Sequence, residues 1–323
     1  MRQLYHIIIL STFYSFAWGQ VKYEIDINKA EVKNNIPMSI VFKSMKIIPL
    51  ETNENSLIAR INKIEIYNNW IFVIDNFKAN TLHIFDKEGN YIKQIGRKGS
   101  DPGEYKQLST FTIDKQNKHV YLLDNYLHKI FIYDFIQNKC VKEISIKNHQ
   151  YESFHMQYID GFLYTDVYSY NPQIKKTPLI QKIDCESGNI IKAFYDSSFN
   201  MDYVNRNEIE SFAFYPIANN NFCFAQRFMN TILLIDQKNI SPYFSFRHPN
   251  FVKKEEMEDA ASKAYNSPKR SSIYITLKKG VYSINEIFET NKHISFSYIM
   301  NRNVIRTILY DKTNNKTIDF DFF

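Results

Sequence analysis

Residues Ile64–Gly96 read IEIYNNWIFVIDNFKANTLHIFDKEGNYIKQIG, and residues Phe111–Ser145 read FTIDKQNKHVYLLDNYLHKIFIYDFIQNKCVKEIS. The second stretch repeats the first. Each holds four short runs of β-branched and aromatic residues with alternating polarity, divided by turn pairs such as Asn68-Asn69, Glu88-Gly89-Asn90 and Gln137-Asn138. That pattern specifies four antiparallel strands per unit.

The unit can be followed outward through its third strand, which ends on an aromatic or aliphatic residue followed by Asp. It recurs at Phe85-Asp86, Tyr133-Asp134, Ile183-Asp184, Ile235-Asp236 and Tyr310-Asp311, at intervals of about 50 residues with a longer last one. One twisted four-stranded sheet cannot bury both faces, so units of this size stack around an axis as the blades of a β-propeller. Five full units are expected, over 61–97, 108–147, 152–195, 209–247 and 284–323. Ahead of them, Val21–Ile27 and Ser39–Leu50 each read as a strand. KTIDFDFF at 316–323 is the fourth strand of unit five, so either five blades close with an N-terminal cover or the chain is shorter than its ancestors. The long last interval holds an insertion over about 248–283, in which Phe251–Tyr265 (FVKKEEMEDAASKAY) has helix-forming composition without Gly or Pro. A smaller insertion over 197–210 is also expected to be partly helical.

Composition agrees with an all-β class: Tyr and Phe number 23 and 26 in 323 residues, against 8 Gly and 9 Pro. Met1-Arg2 followed by the apolar run Leu4–Trp18 and then Gly19 has the form of a secretory signal peptide over 1–19, too short for a spanning helix. The expected product is a propeller domain over 20–323, periplasmic or secreted and monomeric. No Cys precedes Cys140, which excludes a lipid-modified N-terminal cysteine. Basic residues exceed acidic ones by only six, and their clusters at Lys253-Lys254, Lys269-Arg270 and Lys278-Lys279 are short, so a nucleic-acid surface is not indicated. Cys140, Cys185 and Cys223 are odd in number, so at least one thiol stays free. Cys223, within an apolar run, reads as a buried small hydrophobe.

Several candidate sites have a structural reading beside the functional one. The loop Gly96–Tyr105 carries Arg97 and Lys98, suited to an anionic ligand, but its spacing matches no phosphate loop. It reads better as a crossover between blades, with Gly96, Gly99 and Gly103 at positive φ. Tyr126 and His128 fall in the turn after the second strand of unit two and complete the candidate ligand set; Tyr168, Tyr170 and Tyr265 are further candidate aromatics for a glycan or peptide platform. Asp75, Asp124 and Asp166 recur at the end of the second strand of units one to three. Converging on the axis, they would hold Ca or Zn, as in a metal-dependent propeller hydrolase or lyase. Their repetition favours turn capping, because structural duties repeat with the blade whereas catalytic ones differ. Units four and five have Gln226 and Tyr298 nearby instead. No HxH, HExxH or G-x-S-x-G occurs among the His and Ser residues.

The run IFVIDNFKANTLHIFDKEGNYIKQIGRKGSDPGEY (71–105) resembles the NHL-type repeat and, more closely, the six-bladed β-propeller proteins exported by Bacteroides-type bacteria. The matching positions are Pro49-Leu50-Glu51, then Asp75, Phe85-Asp86 and Gly89, then Gly96, Gly99, Pro102, Gly103, Glu104 and Tyr105. Specific matching is confined to 47–135, and the later units match in strand pattern alone. The resemblance implies a six-bladed fold, export and a binding role. Together these readings point to a non-enzymatic binding or scaffold propeller without a cofactor, for a protein, peptide or glycan ligand. The lactonase-like metalloenzyme is the alternative.

Overall fold

A computed structural model describes residues 20–167, 177–196, 213–236, 239–253, 255–256, 259, 280–301 and 304–322. Two strands come first, β1 (Tyr23–Asp26) and β2 (Glu31–Ile36), and five four-stranded antiparallel units follow. Blade 1 is β3 (Lys63–Tyr67), β4 (Trp70–Asp75), β5 (Thr81–Asp86) and β6 (Tyr91–Ile95). Blade 2 is β7 (Leu108–Asp114), β8 (His119–Asp124), β9 (Lys129–Asp134) and β10 (Lys139–Ser145). Blade 3 is β11 (Met156–Ile159), β12 (Phe162–Asp166), β13 (Pro178–Asp184) and β14 (Ile190–Asp196). Blade 4 is β15 (Phe214–Pro216), β16 (Phe222–Phe224), β17 (Thr231–Ile235) and β18 (Ile240–Arg247), and blade 5 is β19 (Val281–Glu289), β20 (His293–Met300), β21 (Val304–Asp311) and β22 (Lys316–Phe322). The fold is an all-β propeller. Five blades are present among the described residues, as the repeat count predicts, rather than the six that the family resemblance implies.

The Asp that ends each third strand closes the following hairpin in all five blades. Its Oδ1 accepts backbone N–H from Glu88 and Asn90, from Ile136 and Gln137, from Glu186 and Ser187, from Asn239, and from Thr313. Polarity alternates in edge strands such as β3, but the middle strands of the early blades are buried nearly throughout: Ile71–Asp75 and Val120–Asp124 are buried at every position. The reason is stacking on both sides. Phe72 of blade 1 stacks on Phe111 of blade 2 at 6.4 Å, Tyr121 of blade 2 on Tyr158 of blade 3 at 5.4 Å, and Phe244 of blade 4 on Phe296 of blade 5 at 5.4 Å. One hydrophobic cluster spans each of the four junctions from blade 1 to blade 5.

The face of blade 1 turned away from blade 2 is covered differently. Ile71, Val73 and Phe85 pack against Ile48, Leu50, Ile58 and Tyr91, and no cluster joins blade 1 to blade 5 among the described residues. Pro49 lies so close to the blade 1 hairpin that a Cβ on Gly89 would sit 2.0 Å from its carbonyl oxygen. At the hairpin of blade 3, Gly188 meets Ser145 at the end of β10 in the same way. The Pro49–Glu51 segment thus takes the place, against blade 1, that the outer strand of a preceding blade takes elsewhere.

The N-terminal strands add to outer edges. β1 runs parallel to β18 and β2 parallel to β22, making five-stranded sheets of blades 4 and 5. Ser39–Leu50, expected to be a strand, is not one: a 3-10 turn covers Met38–Ile40 and no strand follows before β3. The second N-terminal strand is instead the polar EVKNNI, whose hydrogen bonds to β22 compensate for its low β-propensity. Of the expected helix Phe251–Tyr265, Glu255, Glu256 and Asp259 are helical, Phe251 instead bridges Val281, and 254, 257–258 and 260–265 lie outside the described residues, as do 1–19 and 197–210.

Candidate functional site

The turn after each second strand and the crossover into the next blade lie at one end of the ring, and Asp75, Asp124, Asp166, Arg97, Lys98, Tyr126 and His128 all fall there. Asp75 is fully buried. Its Oδ2 accepts from the N–H of Ala59 (2.7 Å) and Arg60 (3.1 Å), and its Oδ1 from Phe77 (3.0 Å) and Lys78 (2.9 Å). Burial pushes its pKa up, but those four N–H bonds outweigh burial and hold it below the ordinary carboxylate value. Asp124 repeats the arrangement, with Lys106 and Gln107 on Oδ2 and Leu127 on Oδ1. Asp166 receives Phe154 and His155 N–H on Oδ1, both at 2.8 Å, while Oδ2 meets His155 Nδ1. Each carboxylate therefore pins the crossover that enters its own blade. Among the described residues no three His, Cys, Asp or Glu are grouped so as to hold a metal ion.

The Asn after two of these aspartates works across the junction. Asn76 Nδ2 donates to Ser109 O of the next blade at 2.5 Å, and Asn125 Nδ2 to Ser153 O at 2.7 Å. Asp75-Asn76 and Asp124-Asn125 are thus two-way staples: Asp holds the blade's own entry loop and Asn holds its neighbour. The recurring dipeptide was visible in the sequence, but the division of labour within it was not. In blade 3 Val167 follows Asp166, and the corresponding side-chain bond has no donor.

The loop Gly96–Tyr105 is a built crossover. Gly99 N–H donates to Tyr105 O and Tyr105 N–H to Arg97 O, Gly103 N–H donates to Glu143 Oε1 at 2.7 Å, and Tyr105 is fully buried. Gly96 and Gly103 have positive φ, but Gly99 does not; its Cβ would collide with the Glu104 carboxylate. Arg97 is 74% exposed and spends its guanidinium on Glu104 and Asp101. The Asp101 N–H, then Arg97, hold Glu104 below the usual carboxylate range. Lys98, Tyr126 and His128 are exposed at the same end. No hydrogen bond or ring contact joins Tyr126 or His128 to Arg97 or Lys98. Of the candidate aromatics, Tyr168, Tyr170 and Tyr265 lie outside the described residues. Gln226 and Tyr298 are both buried, and Tyr298 Oη bonds to Asp319 in blade 5.

The titratable groups inside the blades are poor reagents. All three cysteines are free; burial pushes Cys185 up to about 12 and raises Cys140 and Cys223, which keeps them as thiols. Burial likewise lowers the pKa of His83 and of His149 and keeps both imidazoles neutral.

A side chain that sequence reasoning did not single out lies at the ring's inner edge. Lys63, 12% exposed, opens β3, and its Nζ lies 2.6 Å from Phe111 O on β7, 3.4 Å from Met156 O on β11 and 2.6 Å from Glu65 Oε1. β3, β7 and β11 are the first strands of three successive blades, and one side chain can reach all three only from the axis.

A second unpredicted feature is apolar. Large aliphatic side chains are exposed around the face of blade 1 turned away from blade 2: Met45 (73%), Ile47 (79%), Leu57 (61%), Ile61 (49%), Ile64 (40%) and Ile66 (64%). Ile64 and Ile66 share one face of β3, while Ile47 and Leu57 adjoin Ile48 and Ile58, which cover that face further out. Phe42 is also exposed, at 51%.

Among solved structures, the chain is similar to an exported protein of Bacteroides fragilis NCTC 9343, with 20% identity, a TM-score of 0.71, and 92% of this chain and 79% of that one covered. It is also similar to a DUF4221 family member from Bacteroides vulgatus, at 11% identity and a TM-score of 0.55, with 84% and 83% covered. At these identities the likeness concerns the fold. The search of the curated proteins finds no match. Among the described residues no helix is long and apolar enough to cross a membrane. The model of a domain of unknown function, DUF4934, matches residues 22–321, nearly the whole propeller, and the chain belongs to that family.

Proposed function

We propose that this is an exported, non-enzymatic binding propeller whose partner is a protein, held through the aliphatic surface beside blade 1. The observation that carries the reading is the concentration of exposed Met, Leu and Ile side chains on residues 45–66, where a propeller ordinarily packs the next blade. Contiguous exposed apolar surface marks a contact site. Its chemistry selects among the three candidate ligand classes. Sugars are held by aromatic platforms with polar networks, and this surface is aliphatic, which suits the apolar core of a protein interface. Export is supported by the form of residues 1–19 and by the likeness to an exported protein. The loop residues Arg97, Lys98, Tyr126 and His128 stand at the rim and are not needed for this contact.

The test compares the wild-type chain with Ile47→Glu/Ile66→Glu and with Arg97→Ala/Lys98→Ala, in cross-linking to envelope proteins of the native host. The reading expects one protein to be recovered with wild type and the loop variant and lost with the Ile double variant, which should keep the wild-type melting temperature. Recovery lost with the loop variant instead, glycan binding that survives in the Ile variant, or a wild-type dimer broken by the Ile substitutions would each overturn it.

A further inference from the structure

The inner strands of a propeller have no neighbour across the axis, so alternate carbonyls of β3, β7 and β11 point inward without a ladder partner. Buried carbonyls of this kind need a donor or a cation. Phe111 and Met156, whose carbonyls meet Lys63, are both fully buried. The ammonium has Phe111 O at 2.6 Å, Met156 O at 3.4 Å and Glu65 Oε1 at 2.6 Å, and the Phe111 ring centroid at 5.0 Å. Two carbonyl oxygens, a carboxylate and an aromatic face from three blades form a cation site in composition. The ammonium donates to the two carbonyls, and the Glu65 carboxylate adds its charge as an ion pair without a hydrogen bond at Oε1.

We propose that the inner edges of blades 1, 2 and 3 form a monovalent cation site that the protein fills with its own Lys63, and that the site takes a free primary ammonium ion when that side chain is removed. The inference is independent of the binding surface beside blade 1. It also bears on the metalloenzyme alternative. A divalent metal entering this part of the axis would meet a fixed positive charge a few ångströms away, so metal binding here is opposed by Lys63 itself. The role is to neutralise and tie three blades, with one flexible tether doing what a bound ion does elsewhere.

Replacing Lys63 by Ala removes the three methylenes and ammonium equivalent to n-propylammonium, and that ion is the probe. The experiment is thermal melting of the wild-type chain, Lys63→Ala and Lys63→Met in rising n-propylammonium chloride, with sodium chloride at equal ionic strength as reference. The expected result is a melting temperature for Lys63→Ala well below wild type that rises saturably with n-propylammonium by several degrees, as ligand linkage requires. Wild type, whose site is filled, and Lys63→Met, whose side chain blocks it, should not respond. A Lys63→Met chain as stable as wild type would show that the charge is dispensable and overturn the proposal. So would equal responses to the amine in all three chains, or no response in Lys63→Ala. If Lys63→Ala does not fold unaided, refolding from denaturant decides: recovery with n-propylammonium but not with sodium supports the site, and failure with both refutes it.

Discussion

Asp75→Asn separates a structural carboxylate from a metal ligand at one position. The carboxylate accepts four backbone N–H bonds at 2.7–3.1 Å, two from the entry loop and two from its own turn. Asn keeps one acceptor oxygen and turns an N–H₂ group toward the other pair of donors, so two charge-assisted bonds are lost. At about 1.5–3 kcal/mol for each, less some relaxation, the expected cost is about 3–5 kcal/mol. In a chain of this size that lowers the melting temperature by on the order of 10 °C. The pH dependence has a definite sign. Because the folded pKa is depressed, the stabilisation is complete above the unfolded value near 4 and is lost as pH falls through the lowered native value. The gap between wild type and Asp75→Asn should therefore be constant from pH 5 to 8 and close below 4. Urea unfolding across that range, with and without Ca²⁺ and with chelator, reads both effects. A cost below about 0.5 kcal/mol would refute the turn-capping argument, as would Ca²⁺ stabilisation of wild type that Asp75→Asn abolishes.

Three further outcomes are expected. Arg306, whose guanidinium donates to Asp319, Asp321, Asn34 and the carbonyl of Lys33, clamps β2 to blade 5, so Arg306→Ala should cost about 3–5 kcal/mol. Hydrogen exchange should accelerate first at residues 31–36. Arg97→Ala, which removes an exposed guanidinium from a Glu104 carboxylate that keeps its bond from the Asp101 N–H, should change stability by less than about 1 kcal/mol in the same melts. His83 has a lowered folded pKa because it is buried, so its contribution is complete above the unfolded value near 6.5 and falls away as pH drops through the folded one. His83→Asn should flatten the decline in stability between pH 7 and 5, as followed by denaturant titration.

What the sequence disclosed follows from what repeats. Phe85-Asp86 and its four counterparts located every third strand, because the same hairpin needs the same Asx bond each time. Asp75, Asp124 and Asp166 recur on the same ground, each accepting backbone N–H bonds from the loop that enters its blade. Single events were harder to read. The strand EVKNNI carries almost no β-signal of its own, since a partner nearly three hundred residues away specifies it. Lys63 looked like any polar residue at a strand start, because the carbonyls that give it meaning belong to other blades. The exposed Ile64 and Ile66 have the alternation of a buried face, and their partners Val73 and Ile71 on that same face are buried only because the segment holding Ile48, Leu50 and Ile58 packs on them. Periodicity states which residues want an apolar neighbour, not whether one is there.

The placement of the two N-terminal strands also has a consequence for the order of events in a growing chain. β1 and β2 precede the blades in the chain, yet Glu24 finds Arg247 at a separation of 223 residues and Asn35 finds Asp321 at 286. Contacts of that range form slowly, because the intervening loop must be closed before they give anything back. Blades 1 to 3 can assemble from local hairpins, while β1 and β2 stay unpaired until blades 4 and 5 have formed. The step that fastens these two strands to the outer edges of blades 4 and 5 is therefore a late one in folding.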